Sequence, residues 1–224
     1  METVSLENFI RTAFNVAIPA LDFLGQQDIA HKLNSKRIKE KKLLSLLPAF
    51  LVRRIDSGFA RSLTIHPQTA KALYYICLYG PIENVFETGT CWGYSTAYLA
   101  SALKKKNGGK VYTFDIYEKA GRHIPDELLP QVELIRGEPS VLTMPTVLEH
   151  VKPQLFFQDS RHDYAGVQEE LEIVAPQMEK GSVILIHDFV YPEVSRAVKE
   201  TLKDFELLVL DNEDPQQLGM AVKR

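Results

Sequence analysis

The stretch Phe86–Ala100, FETGTCWGYSTAYLA, decides how the rest of the chain is read. It follows a short apolar run, Asn84 to Thr88 (NVFET), and leads into Ser95 to Lys105, whose composition suits a helix. Strand, glycine turn and helix in that order form the unit from which parallel sheets are built. The glycines let the backbone turn sharply and approach a ligand closely. The helix that follows offers free N–H groups to an anion. The spacing is Gly-x-x-x-Gly, which is neither the Gly-x-Gly-x-x-Gly of dinucleotide binders nor a P-loop, since no Gly-Lys-Ser/Thr follows.

Outward from this turn the pattern repeats. A helix is expected over Gln68 to Tyr79, closed by Gly80-Pro81. Further strands are expected at Lys110 to Asp115, Val132 to Ile135, Gln154 to Asp159 and Ser182 to His187, with two more at Phe205 to Leu210 and Leu218 to Val222. Helices fit Tyr164 to Met178 and Pro192 to Lys203. The central strands are continuous apolar runs, as when helices cover both faces. The predicted fold is α/β, a Rossmann-like seven-stranded, mostly parallel sheet. The short loop Asp211 to Gln217 predicts a hairpin, and so an antiparallel last strand.

Residues 1–66 read differently, as a helical extension ahead of a domain spanning 67–224. Apolar residues recur at helical spacing around Phe9 to Leu24 and Ile29 to Leu47, with no convincing strand. This extension is expected either to cover the substrate mouth or to form a homodimer contact. A basic run, Lys32, Lys36, Arg37, Lys39, Lys41 and Lys42, is either a solvated face or a patch for an anionic partner.

The 224 residues carry a net charge of −3, which argues against a nucleic-acid partner. Cys77 and Cys91 are the two cysteines; they make neither a disulfide framework nor a Cys-x-x-Cys metal site. No apolar run reaches the roughly 18 residues that span a bilayer. The start, METVSLENFIRTAF, lacks the basic-then-apolar order of a signal peptide. A cytoplasmic protein without membrane contact is expected.

Ligands of parallel sheets bind beyond the carboxyl ends of the strands. Asp115 ends the second strand, where a carboxylate is placed to accept from two ribose hydroxyls. Glu87, at the end of the first, is either a ligand group or an internal cap for the turn. Glu138, after the third, either accepts from an adenine amine or is a solvated loop acid. Together they outline an adenosine site without a phosphate clamp.

With these residues placed, the segment resembles motif I of the class I S-adenosylmethionine-dependent methyltransferases, and in particular the catechol and macrocin O-methyltransferase and cephalosporin hydroxylase-like branch. Glu87, Gly89, Gly93, Tyr94 and Ser95 match that pattern, and the resemblance runs from about Pro67 to Arg224. It implies that Glu87, Gly89 and Ser95 hold the methionine part of S-adenosylmethionine, Asp115 its ribose, and Ile116 and Glu138 flank its adenine, with Gly93 in the same cofactor-binding set. Asp159 is shared between cofactor and reaction. In metal-dependent relatives the positions of Asp159, His187 and Asp188 hold a divalent ion, usually magnesium. His187 departs from the usual Asp and suits manganese, iron or zinc better, or else serves as a hydrogen-bond partner of Asp159. His162 stands three residues after Asp159, where catechol O-methyltransferase has its lysine base, so the resemblance implies a general base there. The readings against it are a helix cap near Tyr164, and His187 as the base instead.

The expected activity is O-methylation of a small molecule. Two other readings are a non-catalytic cofactor-binding module and a nicotinamide-dependent oxidoreductase, the latter disfavoured by the missing Gly-x-Gly-x-x-Gly.

Overall fold

The computed structural model describes residues 65–210 and 215–224. The helical extension, its basic run and any dimer contact through it lie outside the described residues.

The chain runs α1 (Pro67–Tyr79), β1 (Asn84–Thr88), α2 (Tyr94–Lys105), β2 (Lys110–Asp115), β3 (Val132–Arg136), α3 (Ser140–Leu148), β4 (Leu155–Gln158), α4 (Tyr164–Val174), β5 (Val183–Ile186), α5 (Pro192–Thr201), β6 (Phe205–Leu210) and β7 (Leu218–Lys223). The sheet has seven strands in the order β3-β2-β1-β4-β5-β7-β6. β1 to β5 pair in parallel, and β7 runs antiparallel to both β5 and β6. The predicted antiparallel final strand is therefore present.

Neighbouring residues of a strand face opposite sides of the sheet, and the sequence exploits this at Phe156-Phe157. Phe157 packs with Val85, Leu155 and Leu185 against α1 and α2, in a core that includes Leu73, Ile76, Tyr98 and Leu99. Phe156 packs with Phe86, Phe114 and Ile184 against α3, α4 and α5, through Met144, Leu171 and Val198. Both phenylalanines are wholly buried. Truncating either to alanine would cost about 3–5 kcal/mol.

Two connections differ from the pattern read in the sequence. Between β2 and β3 there is no α-helix, only a 3₁₀ turn over Asp126–Gln131. Between β3 and β4, α3 occupies a stretch to which the sequence pattern assigns no helix, and it contains Pro145. Proline lacks the N–H that an interior helical position donates, so the periodicity is masked; burial of Met144 and Leu148 against the sheet supplies the missing stabilisation.

The sheet order reverses between β1 and β4: the chain moves from β1 out to β2 and β3, then returns to the other side of β1. The crevice of such a sheet opens at the carboxyl ends of these two strands. Among the described residues no helix is long and apolar enough to cross a membrane.

Candidate active site

A cleft of about 950 Å³ lies at that crevice, bordered by Gly89, Asp115, Ile116, Asp159, His162 and Asp188 among others. Its size suits a ligand of cofactor dimensions.

The turn after β1 is built by close backbone approach. Gly89 has φ +91°, and a Cβ there would sit 2.0 Å from the carbonyl oxygen of Asp159. Only glycine lets the ends of β1 and β4 meet this tightly. Gly93, at φ +88°, opens α2; a Cβ there would sit 2.3 Å from Ile124 Cγ1, so it packs against the following loop rather than the cleft. Beneath the turn Glu87 is completely buried and accepts a 2.5 Å hydrogen bond from the Thr96 hydroxyl. Burial pushes its pKa up to about 7, against the pull of neighbouring hydroxyls that include Ser95.

Asp115 joins two loops at the second strand end. Its Oδ2 accepts from the Cys91 amide at 2.7 Å and its Oδ1 from the Tyr117 amide at 2.9 Å. A carboxylate has about four lone-pair sites, so capacity remains towards the cleft. Ile116 and Tyr117 follow, 57% and 69% exposed, as an apolar wall ready for a flat ring.

In the same cleft, four titratable side chains converge from the ends of β4 and β5 and the loop between β4 and α4. His187 Nδ1 lies 2.9 Å from Asp159 Oδ1 and 3.2 Å from Asp188 Oδ2. His162 Nε2 lies 2.5 Å from the same Asp188 oxygen. β4 and β5 are hydrogen-bonded neighbours with Gln158 opposite Ile186, which brings their trailing acids together. Burial raises the pKa of Asp159, and its bond to His187 only partly offsets this. Burial also opposes ionisation of Asp188, but hydrogen bonds from both histidines win and hold that carboxyl well below the usual range. The Asp188 bond raises the pKa of His162 despite partial burial.

The structure thus brings Gly89, Asp115, Ile116, Asp159, His162, His187 and Asp188 to one cleft. Glu87, Gly93 and Ser95 lie behind its wall, and Glu138 is solvent-exposed on the loop after β3. Asp159, His162 and Asp188 each offer one ligand atom for a divalent ion, all within 4.8 Å of one another, and His187 Nδ1 stands between the two carboxylates.

One cleft residue escapes sequence reasoning. Glu170 of α4 borders the cleft, is completely buried, and collects hydrogen bonds from four side chains. Its signal is present in the helix: Val167, Leu171 and Val174 form the apolar stripe, and Glu170 falls within it.

Residues 86–189 match the sequence profile of a methyltransferase domain family. No curated protein sequence matches the chain. Among solved structures, an O-methyltransferase from Bacillus cereus in complex with SAH is 19% identical, with a TM-score of 0.61 over 78% of this chain and 89% of that chain. The O-methyltransferase TomG from Streptomyces achromogenes, involved in tomaymycin synthesis and solved in complex with SAM, is 17% identical, with a TM-score of 0.59 over 78% and 86%. A TDP-rhamnose 3'-O-methyltransferase of calicheamicin biosynthesis is 18% identical, with a TM-score of 0.57 over 99% and 96%. At these identities the likeness establishes the shared fold.

Proposed function

We propose that this chain, whose residues 86–189 match a methyltransferase domain family, is a class I S-adenosylmethionine-dependent methyltransferase that methylates a hydroxyl oxygen of a small molecule, with His162 as general base. The observation that carries the reading is the cleft itself. It is bordered both by Asp115 and Ile116 and by His162, which is held by the buried Asp188; this combination supports the reading. The O-methyltransferase neighbours of the same fold support oxygen as the acceptor atom.

The residues present fit the cofactor. Asp115 would accept from the ribose hydroxyls, and Ile116 with Tyr117 would cover the adenine. The Gly89 turn and Asp159, which both border the cleft, would face the methionine end. Glu87, Gly93 and Ser95 serve by building that turn. S-adenosylmethionine, when bound, supplies an electrophilic methyl group. The chain's own task is to align the acceptor, exclude water and remove a proton.

Asp188 bonds to His162 Nε2 and fixes that nitrogen as the protonated one, which leaves Nδ1 to take the acceptor proton. His187 suits the base role less. Its side chain is 5% exposed against 46% for His162, and its Nδ1 is spent on two carboxylates. It holds the acids in place instead.

A divalent ion also fits this corner. Asp188 Oδ1 is buried without a hydrogen-bond partner among the described residues, and it adjoins a second carboxylate and two imidazoles. Asp159, Asp188 and one ring nitrogen would hold the ion, which would lower the pKa of an acceptor hydroxyl.

The test is calorimetric titration with S-adenosylmethionine and S-adenosylhomocysteine, then labelled-methyl transfer to panels of phenols, sugars and hydroxy acids. Binding with transfer to oxygen is the expected result. Binding without transfer to any acceptor would favour a non-catalytic module, and methylation on nitrogen or carbon would contradict the oxygen assignment.

A further inference from the structure

Resting on that reading, we infer that Glu170 determines charge specificity in the cofactor cleft, favouring the cationic methyl donor over its neutral product. Oε2 of Glu170 accepts from Thr88 Oγ1 at 3.0 Å and from Gln158 Nε2 at 3.3 Å. Oε1 accepts from Ser140 Oγ at 2.6 Å and from Ser160 Oγ at 2.7 Å. Four donors on two oxygens are the complement of an ionised carboxylate, which only accepts.

A buried charge is normally matched by an opposite one. Asp159 and Asp188, the acids at the ends of β4 and β5, are matched by histidines. No lysine, arginine or histidine among the described residues pairs with Glu170. Arg161, on the adjacent loop, is engaged with Asp163 and Glu169 instead. A cationic group of the ligand would supply the positive charge that the protein does not place beside Glu170.

The geometry says which part of the ligand. Thr88 and Ser160, two of the four donors, flank the Gly89–Asp159 contact, the place that the proposed function gives to the methionine end of the cofactor. Glu170 sits directly behind them. S-adenosylmethionine carries a sulfonium at that end. On transfer the acceptor oxygen forms the new bond to carbon, the C–S bonding pair stays with sulfur, and the sulfonium charge disappears. The acceptor proton goes to His162. A fixed negative charge behind the site then favours the donor before transfer and loses its hold on the product afterwards.

The experiment is calorimetric: S-adenosylmethionine and S-adenosylhomocysteine are titrated into wild type, Glu170→Gln and Glu170→Asp, with folding checked by circular dichroism. Glu170→Gln is expected to weaken donor binding relative to product binding by roughly tenfold, the scale of one partly buried charge interaction, with product affinity within threefold of wild type. Glu170→Asp, which keeps the charge, is expected to keep the wild-type ratio within threefold. Should Glu170→Gln not fold, Thr88→Val/Glu170→Met removes the carboxylate with one of its donors and is measured in its place. An unchanged ratio, or equal weakening of both ligands, overturns the inference and leaves Glu170 as scaffold. Wild-type protein that binds neither ligand overturns the methyltransferase reading itself, a result the variants cannot mimic.

Discussion

Oδ2 of Asp188 is shared: it lies 2.5 Å from His162 Nε2 and 3.2 Å from His187 Nδ1. Asp188 itself adopts φ +55°, a left-handed conformation that is uncommon for non-glycine residues and is adopted mainly by Asn, Asp and His. The backbone bends at the end of β5 to aim one carboxylate at two rings of very different exposure. The exposed ring is the one open to an acceptor in the cleft, and the buried ring lies between the two acids.

From this arrangement His162→Gln should lower turnover by about 10²- to 10⁴-fold and leave S-adenosylmethionine affinity within twofold. His187→Gln should act mainly on stability, lowering it by about 1–3 kcal/mol through the unpaired acids. Steady-state kinetics, calorimetry and thermal melts on both variants check this. Normal turnover in His162→Gln together with loss in His187→Gln would move the base to β5.

Asp115→Ala should weaken S-adenosylmethionine binding by about 30- to 150-fold, the loss of two hydrogen bonds of roughly 1–1.5 kcal/mol each. The structure adds a second consequence. The carboxylate also ties the Cys91 and Tyr117 amides, so Asp115→Ala should loosen both loops. Asp115→Asn retains an acceptor and should lose less. Hydrogen exchange at residues 89–93 and 116–118 should rise in the alanine variant; wild-type affinity in it would refute the assignment.

Much of this was legible in advance because strand ends are punctuated in the sequence. Glycine follows Thr88, an acid ends β2 and His-Asp ends β5, so parallel topology alone sends these groups to one edge. What residues do within that edge was not legible. Whether Glu87 faces ligand or core depends on the turn folding back over it, and a strand's alternation does not report that. Which imidazole meets solvent depends on tertiary packing, which leaves the His187 side chain 5% exposed and that of His162 46% exposed. Glu170 was hidden because its donors come from four separated segments, at Thr88, Ser140, Gln158 and Ser160.

Glu87 gives a pH signature. Its pKa rises from the ordinary 4.5 to about 7 through burial, so the folded state favours the neutral acid. The stability this contributes is complete below pH 4.5 and is lost as pH rises through about 7. Glu87→Gln keeps a neutral partner for Thr96 and should remove that loss. The variant should match wild type near pH 4.5 and exceed it at pH 8, by of order 3 kcal/mol at most. Urea melts from pH 4.5 to 8 check this; a gap constant with pH would mean that Glu87 stays ionised.

Gly89→Ala should cost about 2–4 kcal/mol. The new methyl would meet the Asp159 carbonyl, a backbone group with nowhere to retreat inside a hydrogen-bonded pair of strands, and the residue would keep a positive φ. Because Asp159 would be pushed, turnover should fall further than stability alone explains. A melt within 1 °C of wild type would show that the β1 and β4 ends are looser than described.

The acid pair at the ends of β4 and β5 should bind a divalent ion, with manganese or zinc preferred over magnesium. Two carboxylates close together repel unless a cation or a shared donor stands between them, and His187 Nδ1 already fills part of that need. What it leaves open is Asp188 Oδ1, buried without a partner among the described residues. A nitrogen in the donor set disfavours magnesium, which prefers oxygen throughout. Manganese at about 100 times its dissociation constant should stabilise the protein by about 2.7 kcal/mol, or roughly 5–10 °C for a domain of this size. Asp188→Asn should abolish the shift. Lowering the pH should weaken the ion, since protons compete for the imidazoles and for Asp159. Thermal melts with and without manganese, and turnover after exhaustive chelation, decide the point. No shift with manganese together with full turnover after chelation would leave the acids to the histidines alone.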